Sequence, residues 1–333
     1  MRSVPVPKVS SRPASRAGSA VSRIPLLIAV FCLIWSSAFA IAKCALQDCP
    51  PLLLLTARFL LASLVMLGWA AVSGDYRRIG RRDLLVLAVL GIANNAVYLG
   101  LNYIGMRTVS AGLSALIVSA NPVLIALLAA VFLDEPLTGR RVVGLLLGVA
   151  GVAFIVESRL AGGTENPLGV VFVVGALLSF VGGTILFKRL SPGGGLWVGN
   201  GVQNLAGGLA LAPFALSFES VGNVVPSWRL LAALVYSVVL VSVLGYLLWF
   251  HLLNVCGATG ASAYHFLMPP LGVLFGWLLL GERVELTDLF GILPVALGIY
   301  LVTRPVRPTG RLIDGETWLI GQKYGRPSRT GCH

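Results

Sequence analysis

The sequence predicts an all-α integral membrane protein with ten transmembrane helices, arranged as two inverted five-helix repeats. The 333 residues are 57% hydrophobic and only 11% charged, with a mean hydropathy of +0.89. Soluble domains, by comparison, carry about 25% charged residues. Apolar runs close to the roughly 20 residues that cross a bilayer recur along the chain. In addition, a stretch near the middle of the chain is repeated near its end.

The apolar runs place the ten predicted helices in order. A hydrocarbon core of about 30 Å and a rise of about 1.5 Å per residue set the length that each helix needs. The fifth and tenth runs are short enough to need their flanking residues or a local thinning of the bilayer. The predicted ranges are 24–42, 52–72, 84–104, 110–133, 142–157, 168–187, 196–217, 230–252, 258–280 and 289–303.

The repeated stretch indicates a duplicated half. It runs from Asn121 to Gly151 and again from Met268 to Gly298. Glycine and proline are exchanged least readily for backbone reasons, so their coincidence carries more weight than matched leucines. A shift of 147 positions aligns Pro122 with Pro269, Glu135 with Glu282, Gly144 with Gly291 and Gly151 with Gly298.

This duplication divides the chain into two predicted halves, residues 24–157 and residues 168–303. Residues 1–23 are rich in serine, proline and arginine and are predicted to form a disordered, basic cytoplasmic tail. Residues 304–333 form the second predicted tail. Because each half contains five spans, the two halves enter the membrane from opposite sides.

Basic residues set the predicted orientation, since they collect in cytoplasmic loops. With both termini inside, nineteen of the 25 lysines and arginines fall on the cytoplasmic side. We therefore expect a multi-pass protein of the cytoplasmic membrane. The formal net charge of +12 then reflects topology and attraction of the tails to membrane lipids. The charges are dispersed, so nucleic acid is not an expected partner.

Motifs for catalysis are not apparent in the sequence. It contains no phosphate-binding GxxxxGK[ST] loop, no HExxH and no CxxC. Twelve of the thirteen aspartates and glutamates fall in the predicted loops or tails, and Glu157 is the last residue of the fifth span, so no span offers a carboxylate pair. We expect no catalytic residue, no metal and no cofactor. A membrane-embedded lipid-modifying enzyme and a structural or assembly protein remain the alternatives.

Three features resemble the EamA-type branch of the drug/metabolite transporter superfamily. They are "LIWSSAFAIAK" (33–43), "LTARFLLASL" (55–64) and the two elements that run from proline through glutamate to glycine. The resemblance covers about residues 24–303. It implies two inverted five-helix repeats and transport of small metabolites, commonly amino acids or related polar compounds, often outward. Inverted repeats also supply two related conformations, which suits alternating access. A monomer or a homodimer is expected.

Polar side chains inside the spans mark the candidate substrate site, because hydrocarbon does not satisfy them. Asn95, Tyr98 and Asn102 are spaced along one predicted face of the third span. Tyr98 and Tyr246 are expected to be pseudo-symmetric substrate contacts. For each residue, a hydrogen bond between helices is the alternative. The other candidates are Trp35, Ser37, Asn121, Ser242, Trp249, Tyr264 and His265.

Two further features leave a choice of interpretation. Arg58 stands six residues into the second span, about 9 Å below the outer edge. It either snorkels to the outer headgroups or points inward as a cation that anchors the structure or a substrate carboxylate. Asn200, Gln203 and Asn204 form a polar patch in the seventh span. We place them outside the central site, as groups that join helices or subunits, because the family resemblance puts this helix at the periphery.

Overall fold

The computed structural model describes most of the chain. The described residues are 24–74, 79–132, 138–163, 165–190, 192–193, 195–249, 251–252, 255 and 267–303. Within them, eight helices are long and apolar enough to cross a membrane, and two shorter apolar helices follow. In chain order the helices are α1 (Ile24–Ala45), α2 (Pro51–Ser73), α3 (Arg81–Gly105), α4 (Ala111–Phe132), α5 (Gly139–Ala161), α6 (Pro167–Leu190), α7 (Leu196–Phe218), α8 (Trp228–Trp249), α9 (Met268–Leu280) and α10 (Leu286–Thr303).

The helices lie where the apolar runs predicted them, but several extend further. The fifth helix has 23 residues and so is not short, contrary to the prediction. Helices continue past the apolar run into polar residues, so Asp83 and Asp288, which were predicted in loops, lie in helices near their ends. Glu157, the last residue of the predicted fifth span, lies inside α5. The first part of the predicted ninth span, residues 258–266, lies outside the described residues, as do both tails.

Helices α3 and α8 each contain a π-helical segment. The segments run over Ile92–Leu99 and Ser237–Gly245. In a π-helix the backbone hydrogen bond spans five residues instead of four, an arrangement that is rare and occurs frequently at functional sites. Asn95 and Tyr98 lie in the first segment and Ser242 in the second. The two helices that carry half of the predicted site residues thus share the same backbone irregularity.

The helices pack in a regular set of pairs. Helix α2 packs against α7, α4 against α9, and α5 against α10. Helix α3 packs against α6 and α7, while α1 packs against α8 and α9. Each of the first three pairs joins helices five places apart in the chain. The core between them is built from buried apolar side chains of both halves, such as Phe59, Leu116 and Val273.

One end of the bundle is formed by the connections α1–α2, α3–α4, α5–α6, α7–α8 and α9–α10, which we call the α1–α2 face. Two glutamates cap helices there. Glu219 accepts hydrogen bonds from the backbone N–H groups of Leu52 and Leu53 at 3.0 and 2.7 Å. Glu282 accepts them from Ala111 and Gly112 at 2.6 and 2.9 Å. The carboxylates thereby satisfy the free N–H groups at the starts of α2 and α4.

Ion pairs join further segments of the α1–α2 face. Arg159 donates two hydrogen bonds to Asp288, at 2.9 and 2.5 Å, and a longer one to Glu165 at 3.4 Å. Arg229 donates to Asp48 at 2.8 and 2.5 Å. These contacts connect α5 with α10 and the α1–α2 connection with α8.

Two hydrogen-bonded groups extend this network to the α3–α4 connection. The ammonium group of Lys43 donates to the carbonyl oxygens of Met106 and Val109. Ser110 donates its N–H to Glu165 at 2.9 Å and its hydroxyl to the same carboxylate at 2.5 Å. All five connections of the α1–α2 face are therefore tied together.

Candidate functional site

Arg58 lies inside the helical bundle. Its side chain is only 5% exposed. Nε donates to the hydroxyl of Ser242 at 3.2 Å, and Nη1 donates to the hydroxyl of Tyr103 at 2.9 Å. The guanidinium carbon lies 5.7 Å from the centre of the Phe59 ring. Snorkelling to the headgroups is therefore wrong, because α2 packs against α7 and α8 and turns this side chain inward.

Two asparagines of α7 support this cluster. Asn200 donates to the backbone carbonyl of Ser242 at 3.0 Å. Asn204 donates to the carbonyl and side-chain oxygens of Asn200 at 2.8 and 2.9 Å. Asn200 joins α7 to α8, and Asn204 is bonded to Asn200, which agrees with the expectation that these residues join helices. The i, i+4 spacing of Asn200 and Asn204 places them on one face of the helix, and this was the sequence signal that they act together. Gln203, by contrast, bonds within its own helix, to Gly199.

An aromatic cluster brings three predicted residues together. The rings of Trp35 and Tyr246 lie 5.7 Å apart, and those of Trp35 and Phe31 lie 5.4 Å apart. Phe31 in turn stacks on Trp249 at 5.5 Å. Phe31 was not predicted as a site residue. Aromatic pairs at these separations prefer offset or tilted arrangements, as seen here.

Tyr98 stacks on Phe180 of α6, with ring centres 4.7 Å apart. Tyr246 contacts Trp35 of α1, so each tyrosine packs on an aromatic ring of the first helix of a predicted half.

The three predicted site residues of α3, Asn95, Tyr98 and Asn102, do not share one face of the helix, contrary to the prediction. Asn95 lies against α7, where a methyl group added to Gly207 would come within 2.5 Å of its Cβ. Tyr98 faces α6, and Asn102 donates to Ser114 of α4 at 3.0 Å. The π-helical segment explains the difference, because it changes the angle between successive side chains.

Of the other predicted residues, Ser37 links α1 to α8 and Asn121 lies in α4. The hydroxyl of Ser37 lies 2.6 Å from that of Tyr236 and also donates to carbonyl oxygens of its own helix. Asn121 is buried. Tyr264 and His265 lie outside the described residues. Within the described ranges, no group of three His, Cys, Asp or Glu side chains could hold a metal ion.

The arrangement supplies a fixed cation, hydroxyl groups and aromatic faces. These groups bind rather than transform a molecule: the guanidinium offers N–H donors in a planar fork, and the rings offer stacking surfaces. Residues from α2, α3, α7 and α8 contribute the polar part, and α1, α6 and α8 contribute the aromatic part.

Comparison with known proteins gives a consistent family. The EamA-like transporter family matches residues 22–157 and again residues 167–304. Uncharacterized transporter YvbV of Bacillus subtilis is 28% identical over 84% of this chain and 92% of its own length. An uncharacterized transporter of Archaeoglobus fulgidus is 28% identical over 84% of this chain and 98% of its own.

Two further similarities concern a named substrate and the fold. An S-adenosylmethionine/S-adenosylhomocysteine transporter of Chlamydia muridarum is 28% identical, covering 87% of this chain and 94% of its own. A solved crystal structure is 18% identical and covers 84% of this chain and 97% of its own, with a TM-score of 0.61. At that identity the likeness shows the fold alone. With the family matched over both halves, the chain belongs to the EamA-like transporter family and is a multi-pass membrane transporter, not an enzyme.

Proposed function

We propose that the protein is a secondary transporter that exports a small, amino-acid-like metabolite by alternating access. One observation carries the proposal: Arg58 of α2 and Ser242 of α8 are hydrogen-bonded across the two predicted halves. A polar site at the boundary between two halves is where inverted-repeat transporters bind substrate. Tyr98 and Tyr246 are the proposed pseudo-symmetric contacts, with the other predicted residues around them.

The proposed architecture is ten crossings in two inverted repeats, residues 24–157 and 168–303. Helices α9 and α10 complete the count. The pairing of α2 with α7, α4 with α9 and α5 with α10 supports this arrangement, because each pair joins helices that are equivalent under the repeat. Exchange of the two halves turns the α3–α6 pair into the α8–α1 pair, so these two pairs are also equivalent under the repeat.

We propose that the protein lies in the cytoplasmic membrane with both termini inside, as a monomer or homodimer in contact with lipid. The distribution of basic residues supports this orientation. In it, the α1–α2 face is the outer face. Because ion pairs and caps tie its five connections together, this face is closed, and release of substrate outward requires these contacts to break.

The proposed substrate class rests on the chemistry of the site. A small amphipathic solute with an amino-acid group uses both the aromatic faces and the polar cluster. The Chlamydia muridarum relative supports this class, since both compounds in its name contain an amino-acid group.

The test combines metabolite profiling with variants of the two tyrosines. Cells with and without the protein are compared for metabolites inside and outside, and the one that differs is assayed in proteoliposomes. Tyr98→Phe and Tyr246→Phe keep the bulk and remove a hydroxyl, which costs about 0.5 to 1.5 kcal/mol of apparent affinity per lost hydrogen bond. The alanine variants cost more. Tyr300→Phe, on the 44% exposed side chain of Tyr300 in α10, is the control.

The outcomes separate the alternatives. A structural or assembly protein predicts no metabolite that differs between the two cell types. If a metabolite is found, but both phenylalanine variants and both inserted alanine variants transport it like the wild type, the site lies elsewhere.

A further inference from the structure

Arg58 differs from two other arginines in the kind of group that it contacts. Arg159 is paired with the carboxylates of Asp288 and Glu165, and Arg229 is paired with Asp48. Arg58 is as well buried as Arg159, each at 5% exposure, yet its hydrogen-bond acceptors are the neutral hydroxyls of Tyr103 and Ser242. Among the residues that the structure describes, no carboxylate forms an ion pair with Arg58.

A buried cation without an anion is unfavourable. Removing a guanidinium from water is costly, and hydroxyl dipoles replace only part of the lost hydration. Buried charges in proteins are therefore normally paired. The protein meets this requirement at Arg159 with two carboxylates. A ligand that carries a negative charge best explains why Arg58 is buried without a carboxylate of the protein.

The hydrogen bonds of Arg58 leave a suitable edge for such a ligand. A guanidinium carries five N–H groups. Nε uses its single N–H on Ser242, and Nη1 uses one of its two on Tyr103. Within the described part of the chain, both N–H groups of Nη2 and one of Nη1 have no acceptor. A guanidinium matches the two oxygens of a carboxylate through N–H groups on Nη1 and Nη2, and both of these nitrogens retain at least one free N–H.

The surrounding residues hold this edge in place. Asn200 donates to the carbonyl of Ser242 within the π-helical segment of α8, and the Ser242 hydroxyl accepts from Nε of Arg58. Phe59 packs beside the guanidinium. A guanidinium fixed on both sides loses little further freedom when a ligand binds, which favours affinity.

We propose that Arg58 is the receptor for a carboxylate of the substrate, so that the transported metabolite is bound in its carboxylate form. This inference rests on the proposed function, because it assumes that the site between the halves takes an amino-acid-like solute. It adds the group that is recognised and the residue that recognises it. The substrate carboxylate then supplies the countercharge that the protein lacks.

The experiment compares acids with their own neutral amides. The full-length protein is placed in phosphatidylcholine nanodiscs, so that no anionic headgroup competes for Arg58. The probes are the L-amino acids and S-adenosylhomocysteine, and each is compared with its carboxamide. The ligand concentration at half-saturation is determined from the shift in melting temperature. For the wild type we expect the best acid to bind about tenfold more tightly than its amide, since charge-assisted hydrogen bonds are the stronger ones.

Three variants locate the preference. Arg58→Gln should bring acid and amide to within about twofold of each other. Arg58→Lys should keep the preference but weaken acid binding, because a point charge replaces the fork. Arg229→Gln, which removes an arginine at the α1–α2 face, is the matched control and should keep the wild-type ratio.

The results distinguish this inference from the proposed function. If folded Arg58→Gln retains the acid preference, or if the wild type binds acids and amides equally, the carboxylate receptor is excluded while a transporter remains. If the wild type binds no probe, the amino-acid-like substrate class fails and this inference fails with it. If Arg58→Gln does not fold, Tyr103→Phe serves instead: it keeps the charge, and it should weaken the acids severalfold while leaving the amides unchanged. Equal effects on acids and amides would contradict the proposal.

Discussion

Gly298 of α10 lies against the backbone of Gly144 in α5. A methyl group added at Gly298 would come within 2.5 Å of the Gly144 carbonyl oxygen. Seven residues along, a methyl group at Gly151 would come within 2.8 Å of the Gly291 carbonyl oxygen. The repeated stretch aligns Gly144 with Gly291 and Gly151 with Gly298. In the structure, Gly144 of the first copy faces Gly298 of the second, and Gly151 faces Gly291. The contact is therefore reciprocal, as a two-fold relationship between the copies produces.

This contact predicts a steep cost for side chains at Gly298. Gly298→Ala forces the two helices apart, because the nearest atoms are backbone and have no rotamer to change. We expect a loss of about 1 to 3 kcal/mol in the free energy of unfolding. Gly182→Ala in α6 is the control, since no atom lies within 4 Å of the position of its methyl group. Thermal unfolding in detergent measures both, and equal melting temperatures for the two variants would contradict the close approach.

The carboxylate of Glu282 predicts a second stability effect. Glu282→Gln keeps the size of the side chain but removes the charge that faces the start of α4, where it accepts two backbone N–H groups. Losing a helix cap costs about 0.5 to 2 kcal/mol. The exposed Glu157, near the end of α5, provides the control Glu157→Gln. A loss of stability no larger than that of the control, in the same unfolding assay, would remove capping as the role of Glu282.

The position of the helices was predictable from hydropathy because spanning a bilayer requires a long apolar run. Helix ends were less predictable. Asp288 and Arg159 lie within helices because they neutralise each other, which permits the helix to continue past the apolar run. That pairing joins α5 to α10 and depends on tertiary packing, which local composition does not record.

The site was predictable in composition but not in arrangement. Tyr98, Tyr246, Trp35 and Trp249 stood out as polar or aromatic groups inside spans, and three of them share one aromatic cluster. The orientation of Arg58 was not predictable, because a residue near a helix end can reach either the headgroups or the interior. The hydropathy pattern did not indicate the π-helical segments in α3 and α8, and these segments redirect side chains such as Asn95.

Asp48 predicts a pH dependence at the α1–α2 face. Hydrogen bonds from Arg229 and then Ser227 lower the pKa of this carboxyl from 3.8 to about 2. A lowered pKa in the folded state contributes stability above the unfolded pKa, and this contribution is lost as the pH falls through the folded pKa. The melting-temperature difference between wild type and Asp48→Asn should therefore be constant above about pH 4 and shrink towards about pH 2. A difference that does not change over this window would show that the carboxylate is not held ionised by Arg229.

The orientation of the bundle gives the last prediction. Basic residues before α3 predict that Ile79 faces the cytoplasm, while the α9–α10 connection, with Val284, faces outward. Val284 is 44% exposed, so a cysteine there is accessible to reagent. In intact cells a membrane-impermeant maleimide should label Val284→Cys, whereas Ile79→Cys should react only after permeabilisation. The parent protein, with its own five cysteines, sets the background. External labelling at position 79 would invert the proposed topology, and the closed α1–α2 face would then be the cytoplasmic one.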